Sequence, residues 1–462
     1  MRTGLLNPIQ HSAYPQPPMG LALIAAVLEK GGHQVTLLDA NAMHIEPADV
    51  TSHMSEVDVI MLTAMTPTIN AAADIDGHAK KDIPNIPIIL GGAHATLMPD
   101  ETLAAIPEID IIVRGEGEET IVDLLEAIEQ DRPLDSVPGI TFRRYSEIIH
   151  TEDRKSSVDL DSLPFLAYHL LPLERYNPHP PHGRAKPVAA VITSRGCPYR
   201  CGYCSKPVFG NKFRGQSPPR VADEISFLME HYGVKEIAFY DDVFTLDKKR
   251  ARAICEEILR RNLKIHWTCE TRVNLVDRKL LEAMRKSGCY SIAYGIESAS
   301  LEILEAIGKD ITLEQVREAI EITHEAGIQT VGYFMIGSPG ETPETIARTI
   351  DFAKELKLDF AQFSITTPFP ATKLYEMYRQ INQCDIPWES FVYAGAGSRT
   401  APAFETDRLS KSDLDKWTAR AYREFYLRPS YFWQRIRGIR SWGDLRLGFS
   451  GISMLVRNIS SR

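Results

Sequence analysis

The sequence predicts an α/β protein in three parts: an N-terminal doubly wound parallel-sheet domain, a partial (β/α)6 barrel and a helical C-terminal extension. Three observations predict it. Up to about residue 130, short β-rich runs alternate with helical periodicity, the pattern of a parallel sheet with crossover helices. The alternation resumes at Val188, after a stretch rich in proline and charge. Beyond about residue 371 it gives way to helical and aromatic sequence. The expected boundaries are therefore residues 1–131, a linker 132–187, the barrel 188–375 and the extension 376–462.

In the first domain, residues 3–7 are an expected strand, 21–30 a helix and 34–39 a second strand; 57–63, 86–90 and 111–114 continue the sheet. Such sheets bind ligands outside the carboxyl ends of their strands. The loops there are rich in glycine and threonine: Thr63-Ala64-Met65-Thr66 after the third strand and Gly91-Gly92-Ala93-His94-Ala95-Thr96 after the fourth. The linker is least helical at Leu163-Pro164 and over residues 178–181. In the barrel, strands are expected at 188–193, 237–240, 266–270, 291–294, 329–334 and 360–365, with amphipathic helices between them. Six β/α units suit a partial barrel better than a closed eightfold one, and reactive residues gather at the carboxyl ends of such strands.

Length and composition agree. A chain of 462 residues exceeds what one hydrophobic core serves, so two or three domains are expected. The hydrophobic fraction is an ordinary 44%, and no apolar run is long enough to span a bilayer. Residues 1–8 lack the basic region and long apolar core of a secretion signal, so a cytoplasmic location is expected. A net charge of −9 argues against nucleic acid as a partner.

Three cysteines carry the chemistry: Cys197, Cys201 and Cys204, in the run Thr193-Ser194-Arg195-Gly196-Cys197-Pro198-Tyr199-Arg200-Cys201-Gly202-Tyr203-Cys204. Three thiolates leave a four-coordinate site open, and a cubane iron-sulfur cluster held by three of them keeps one iron for a non-protein ligand. A structural zinc site would be closed by a nearby fourth ligand, yet the first histidine downstream is His231. A disulfide framework fits poorly with an odd count of seven cysteines.

The Cys-x3-Cys-x2-Cys spacing, with Tyr203 before the last cysteine, resembles the signature of the radical S-adenosylmethionine superfamily. The resemblance implies that Cys197, Cys201 and Cys204 ligate a 4Fe-4S cluster whose free iron is chelated by S-adenosylmethionine, and that one-electron reduction yields a 5′-deoxyadenosyl radical. It also implies an electron donor such as flavodoxin or ferredoxin.

Upstream, the 17–21 segment (Pro-Pro-Met-Gly-Leu), the 63–66 loop and the 91–96 loop resemble the cobalamin-binding domain that often precedes the radical domain. That makes Thr63, Thr66, Gly91, Gly92 and His94 candidate cobalamin contacts, with small residues where a nucleotide tail must lie against backbone. The run Arg114-Gly115-Glu116-Gly117-Glu118 fits the same pattern. The Asp-x-His-x-x-Gly motif that supplies a histidine to cobalt is missing, which leaves two readings: a corrinoid without a protein imidazole below it, or a relic domain that binds none. His94 is the nearest imidazole, but a lone loop histidine is read as a capping or solvent-facing residue rather than a cobalt ligand.

The barrel strand ends supply further candidates. Asp241 and Asp242 resemble the position that accepts from the amino group of S-adenosylmethionine; a helix N-cap would use the same residues. Glu270 and Arg272 form a charged pair suited to the carboxylate or ribose of S-adenosylmethionine, or to a surface salt bridge. Gly295-Ile296-Glu297-Ser298 resembles the element that brings Glu297 near the cofactor, and the run ending at Gly337 resembles the adenine-contacting strand. Glu341 reads as a cap for the following helix. Cys255 and Cys289 read as buried small hydrophobes, Cys384 remains unassigned, and Cys269 stands beside Glu270 where it could face the site.

The last 42 residues carry eight Arg against one Glu and one Asp, interleaved with Phe432, Trp433, Trp442 and Phe449. Such an end suits either peripheral contact with an anionic membrane or packing on the acidic body. With these parts the resemblance implies a cobalamin-dependent enzyme similar to methyltransferases and the anaerobic Mg-protoporphyrin monomethyl ester cyclase. As a methylase it would use two S-adenosylmethionine molecules to methylate an unactivated carbon of a small-molecule, lipid or porphyrin-like substrate. The rivals are radical cyclisation, coupling or sulfur insertion without methyl transfer, and a non-catalytic electron-transfer protein.

Overall fold

The structure is a computed structural model that describes residues 1–10, 14–54, 56–155, 158–176, 183–382, 386–391, 405–431 and 433. The chain divides into two compact units. One is built from the described residues of Met1–Asn177, Ser205–Asn211 and Pro387–Tyr393, the other from those of Pro178–Cys204, Lys212–Ile386 and Ala394–Arg462.

The first unit is organised by a seven-stranded sheet: β1 (Arg2–Asn7), β2 (Gln34–Asp39), β3 (Val59–Thr63), β4 (Ile88–Gly91), β5 (Ile111–Val113), β6 (Ile140–Arg144) and β7 (Glu147–His150). Its order is β2-β1-β3-β4-β5-β6-β7, with the first five strands parallel. Successive side chains of a strand point to opposite faces, and here both faces are apolar. Leu6, Ile60, Leu62, Ile88 and Leu90 enter one core, whereas Leu5, Val59, Met61, Ile89 and Ile111 enter the other. Two covered faces make the sheet doubly wound, as expected. The strand order reverses between β1 and β3, so the switch point falls at Asn7 and Thr63, where the threonine- and glycine-rich loops begin.

Part of the expected linker belongs to this sheet. β6 and β7 pair antiparallel within residues 132–187, and β6 pairs antiparallel with β5. The hairpin turns at Tyr145, with φ 54. Its buried alternation of Ile140 and Phe142 is short, and the proline and charge around it conceal it. Residues 178–181, the other stretch picked out as linker, lie outside the described residues.

The second unit contains β8 (Val188–Val191), the short pair β9 (Ser194–Arg195) and β10 (Arg214–Gly215), then β11 (Glu236–Phe239), β12 (His266–Thr271), β13 (Cys289–Glu297), β14 (Gln329–Ile336) and β15 (Phe360–Ile365). Six strands form one parallel sheet in the order β15-β14-β13-β12-β11-β8, the partial barrel the alternation predicted. Local signals start and stop its helices. Ser217 caps Pro218–Tyr232 at one end and Gly233 closes it in the left-handed region. Thr312 with Gln315 and Thr342 with Thr345 are capping boxes.

At the amino end of the barrel, the buried Glu236 accepts from Gly183 N, Ala185 N and Tyr290 Oη at 2.8, 2.9 and 2.6 Å, fixing the chain that enters β8. In the extension, Lys411–Tyr426 packs on β15, where Tyr426 and Tyr422 donate to or accept from the β15 backbone. No described helix is long and apolar enough to cross a membrane. The basic segment with Phe432, Trp442 and Phe449, and Cys384, lie outside the described residues.

Candidate functional site

The cysteine segment is fixed from several sides, by backbone pairing and by one half-buried arginine. β9 and β10 pair antiparallel, Ser194 opposite Gly215 and Arg195 opposite Arg214, and so close its base. Arg250 binds both flanks, donating through Nε to Gln216 O and through Nη2 to Thr193 O, each at 2.7 Å. A Cβ on Gly215 would lie 2.6 Å from Arg250 Nε, so a larger residue there would displace the guanidinium. At the tip, Gly202 N donates to Ile307 O at 2.7 Å and Gly202 O accepts from Leu374 N at 2.9 Å. Cys204 N closes a turn onto Cys201 O at 3.1 Å. Cys197 is buried, Cys201 half-buried and Cys204 exposed, and none of the three is in a disulfide.

Among the described residues, no three His, Cys, Asp or Glu side chains converge as the ligands of one ion do. Thiolates of a cubane each take a different iron and need not converge. Three thiols on one clamped loop beside a buried guanidinium fit such a cluster.

That guanidinium is Arg272, expected with Glu270 as a cofactor-binding pair. Arg272 follows β12, is 4% exposed, donates through Nη1 to Cys201 Sγ at 3.7 Å and through Nη2 to Asp310 O at 3.0 Å, and stacks on Tyr199 at 3.8 Å. Glu270 accepts from Tyr333 Oη at 2.9 Å instead; burial raises its pKa, which that hydrogen bond lowers and the charge of Asp242 raises. The two are therefore not an ion pair.

Asp241 is wholly buried and its carboxylate is engaged within the fold. It accepts from Thr193 N and Oγ1 at 3.1 and 3.0 Å and from Ser194 Oγ, so it ties β11 to the start of the cysteine segment. Burial holds its pKa above the usual range. Asp242 beside it is exposed, and neither is a helix cap: the next helix, Lys248–Arg260, is capped by Asp247.

Glu297 lies where the register of β13 against β14 shifts, with φ 67 in the left-handed region. Its Oε1 accepts from Tyr203 Oη at 2.8 Å and from Lys309 Nζ at 2.9 Å. Lys309 and Glu297 are both buried, and Lys309 Nζ also reaches Tyr203 Oη at 3.3 Å. Burial, then the Glu297 charge, pushes the Tyr203 phenol well up, so it stays a donor. Tyr203 and Glu297 were legible in the sequence. Lys309 and Arg250 were not, since a lysine after a glycine turn and an arginine in a charged helix carry no signal until the fold brings them in.

Gly337 ends β14 with φ 89. Its N–H and that of Ser338 donate to Glu341 Oε2 at 2.6 and 3.0 Å, and Tyr378 Oη donates to Gly337 O at 2.9 Å. Glu341 is therefore no helix cap, which is the role of Thr342; it is a fully buried brace of the Gly337 turn. Burial raises its pKa to about 7. Cys269 is 1% exposed with its thiol pushed up by burial and by Cys289 beside it, so it is packed in the core rather than open to the site. Cys255 and Cys289 are likewise buried, the Cys255 thiol pushed up to about 12.

In the first unit, the loops after β3 and β4 are one hydrogen-bonded assembly. Ala64 N donates to Gly91 O at 3.0 Å and His94 N to Ala64 O at 3.1 Å. Gly92 has φ 95, and a Cβ on it would stand 2.6 Å from Thr63 Oγ1 and 2.7 Å from Ala64 O. Thr96 Oγ1 donates to Gly92 O at 2.8 Å and accepts from Gly115 N at 3.0 Å, adding the 114–118 loop. His94 differs from expectation: it is wholly buried rather than solvent-facing. Its Nδ1 lies 3.2 Å from Thr66 Oγ1, and its ring meets Trp388 edge-on at 4.7 Å. Desolvation lowers its pKa to about 4, which keeps the imidazole neutral. Nε2 is buried with no hydrogen-bond partner among the described residues. Glycines at the switch point and an orphaned buried nitrogen beside them fit a loop assembly built for a nucleotide-like ligand.

Residues 191–353 match the model of the radical SAM superfamily, and residues 9–125 that of the B12 binding domain. Over 418 residues the chain is 36% identical to an uncharacterized methyltransferase of Pyrococcus horikoshii, covering 89% of this chain and 88% of that protein. It is 32% identical over 454 residues to the anaerobic magnesium-protoporphyrin IX monomethyl ester cyclase of Cereibacter sphaeroides, covering 95% of this chain and 72% of the relative. The fold resembles that of the radical S-adenosylmethionine methyltransferase TsrM from Kitasatospora setae, solved with cobalamin and a [4Fe-4S] cluster. The TM-score is 0.69 at 20% identity, over 82% of this chain and 75% of that one.

Proposed function

From the premise that the chain belongs to the radical S-adenosylmethionine enzymes that carry a B12 binding domain, we propose that it methylates an unactivated carbon of a small organic substrate. The observation that carries this is the clamped three-thiol loop, Cys197 to Cys204, in a chain 36% identical over nearly its full length to a protein named an uncharacterized methyltransferase. A 4Fe-4S cluster, S-adenosylmethionine and cobalamin supply, when bound, a one-electron cleavage that gives the 5′-deoxyadenosyl radical and a methyl group for transfer.

The chain's own residues bind and orient. Cys197, Cys201 and Cys204 would hold the cluster, and the β9–β10 clasp with Asp241 and Arg250 fixes the start of the segment that carries them. Glu297, held by Lys309 and Tyr203, has its second carboxylate oxygen to offer an ammonium group of S-adenosylmethionine. The Gly337 turn, fixed by Glu341 and Tyr378, ends the strand that resembles the adenine-contacting one. Thr63, Thr66, Gly91 and Gly92 would line the cobalamin loops of the first unit, with His94 a buried ring beside Thr66. The electron comes from a flavodoxin- or ferredoxin-like donor.

The test is anaerobic reconstitution with S-adenosylmethionine carrying a labelled methyl group, assayed against candidate substrates. The expected result is 5′-deoxyadenosine and labelled product from the wild type, and neither from Cys201→Ala. Absence of 5′-deoxyadenosine with a loaded cluster, or a Cys201→Ala variant as active as wild type, would overturn it. A second reading, oxidative cyclisation, is favoured by the 32% identity to the magnesium-protoporphyrin cyclase across 95% of this chain. It predicts 5′-deoxyadenosine and product without label.

A further inference from the structure

We propose that Arg272 is the fixed cation that raises the reduction potential of the cluster held by Cys197, Cys201 and Cys204, acting through the Cys201 sulfur. The inference rests on the cluster assignment above and concerns a residue whose sequence signal pointed elsewhere, to the carboxylate or ribose of S-adenosylmethionine.

The guanidinium is confined on every side. Nε donates to Asn274 Oδ1 at 3.4 Å, Nη2 to Asp310 O at 3.0 Å and Nη1 to Cys201 Sγ at 3.7 Å, while the plane lies on the Tyr199 ring with a centroid distance of 3.8 Å. Among the described residues none of these contacts is a carboxylate, although the side chain is 4% exposed. The neighbouring buried cation, Lys309, shows the ordinary solution, because Glu297 neutralises it at 2.9 Å. A buried charge without a counter-charge is strongly unfavourable, so the fold implies an anion at the one contact that can become one. That contact is the Cys201 sulfur, which is a thiolate when it ligates iron.

Uptake of one electron makes the cluster and its thiolates more negative by one charge. An N–H donor and a full positive charge held against a ligand sulfur in a water-poor setting stabilise that state over the oxidised one, which moves the potential upward. Arginine does not lose its proton at any pH the enzyme meets, so the charge is permanent. Tyr199, two residues before Cys201, keeps the guanidinium in place through its ring face. The cysteine segment thus carries its own holder for the cation that tunes it.

The test uses the full chain, reconstituted anaerobically with iron and sulfide, without S-adenosylmethionine. The midpoint potential is read by paramagnetic resonance during titration with dithionite as the one-electron donor. In Arg272→Gln, which removes the charge, the midpoint is expected to be more negative than wild type at unchanged iron and sulfide content. Arg272→Lys, which keeps the charge but not the planar fork, is expected to fall between them. Tyr199→Leu, which removes the stacking face but keeps the Arg272 charge, is expected to shift the same way by less.

A cluster-loaded Arg272→Gln at the wild-type potential overturns the proposal. If that variant also binds S-adenosylmethionine more weakly, the cofactor carboxylate is the missing anion. Should Arg272→Gln fail to retain iron, Tyr199→Leu decides, and an unchanged potential there overturns the proposal. Failure of the parent assignment would look different, as a wild-type chain that takes up no iron and sulfide.

Discussion

Glu341 is a carboxyl group in a place that disfavours its own charge. Both backbone N–H groups of the Gly337 turn reach Oε2, but Oε1 is buried with no hydrogen-bond partner among the described residues, and burial lifts the pKa to about 7. An acid whose folded pKa lies above its unfolded value adds stability below the unfolded pKa, and that contribution is lost as pH rises through the folded one. The window here runs from the unfolded value of 4.5 to about 7. Across it, the ionising group should remove about 3 kcal/mol from the native state. Glu341→Gln mimics the protonated form, so its stability advantage over wild type should grow by that amount between pH 4.5 and 7. Denaturant unfolding at several pH values checks this, and parallel curves for the two proteins would refute it.

At the scale of elements, the loops after β3 and β4 act as one unit because backbone, not side chains, joins them. Gly92 is the joint: its φ of 95 suits glycine, and any Cβ would collide with Thr63 Oγ1 and the Ala64 carbonyl. Gly92→Ala should therefore cost about 2–4 kcal/mol, combining left-handed strain with overpacking against backbone that cannot yield. The melting temperature should fall, and corrinoid retained on gel filtration should fall with it; an unchanged melting temperature would contradict the role. The loop's glycines and threonines were legible in sequence as small and polar residues at strand ends. The burial of His94 was not, because Trp388, nearly 300 residues on, is what meets its ring. Likewise the β6–β7 hairpin was hidden in proline-rich, charged sequence and emerged only through its pairing to β5.

For the whole molecule, the three cysteines belong to one compact unit and the β3 and β4 loops to the other. Cluster and corrinoid should consequently be lost separately. Anaerobically purified Cys201→Ala should lack iron and sulfide yet keep corrinoid at the wild-type level, measured by iron and sulfide assays and the corrinoid absorption bands. Loss of both together would show that the two cofactors depend on each other for binding.

Sequence alone determined the strand count of both sheets' parallel cores, the three thiols and the identity of most strand-end residues, because periodicity and short motifs are local. It named Asp241, Arg272, Glu297 and Glu341 but not the protein groups that hold them, and it read Glu341 as a helix cap where Thr342 is the cap. Asp241 braces Thr193 and Ser194, Arg272 meets Cys201, and Glu341 holds the Gly337 turn. Lys309 and Arg250 were invisible. Only the tertiary structure decided these roles, since the partner of a buried charge is set by which distant segment the chain packs against it, and no spacing in the sequence encodes that distance.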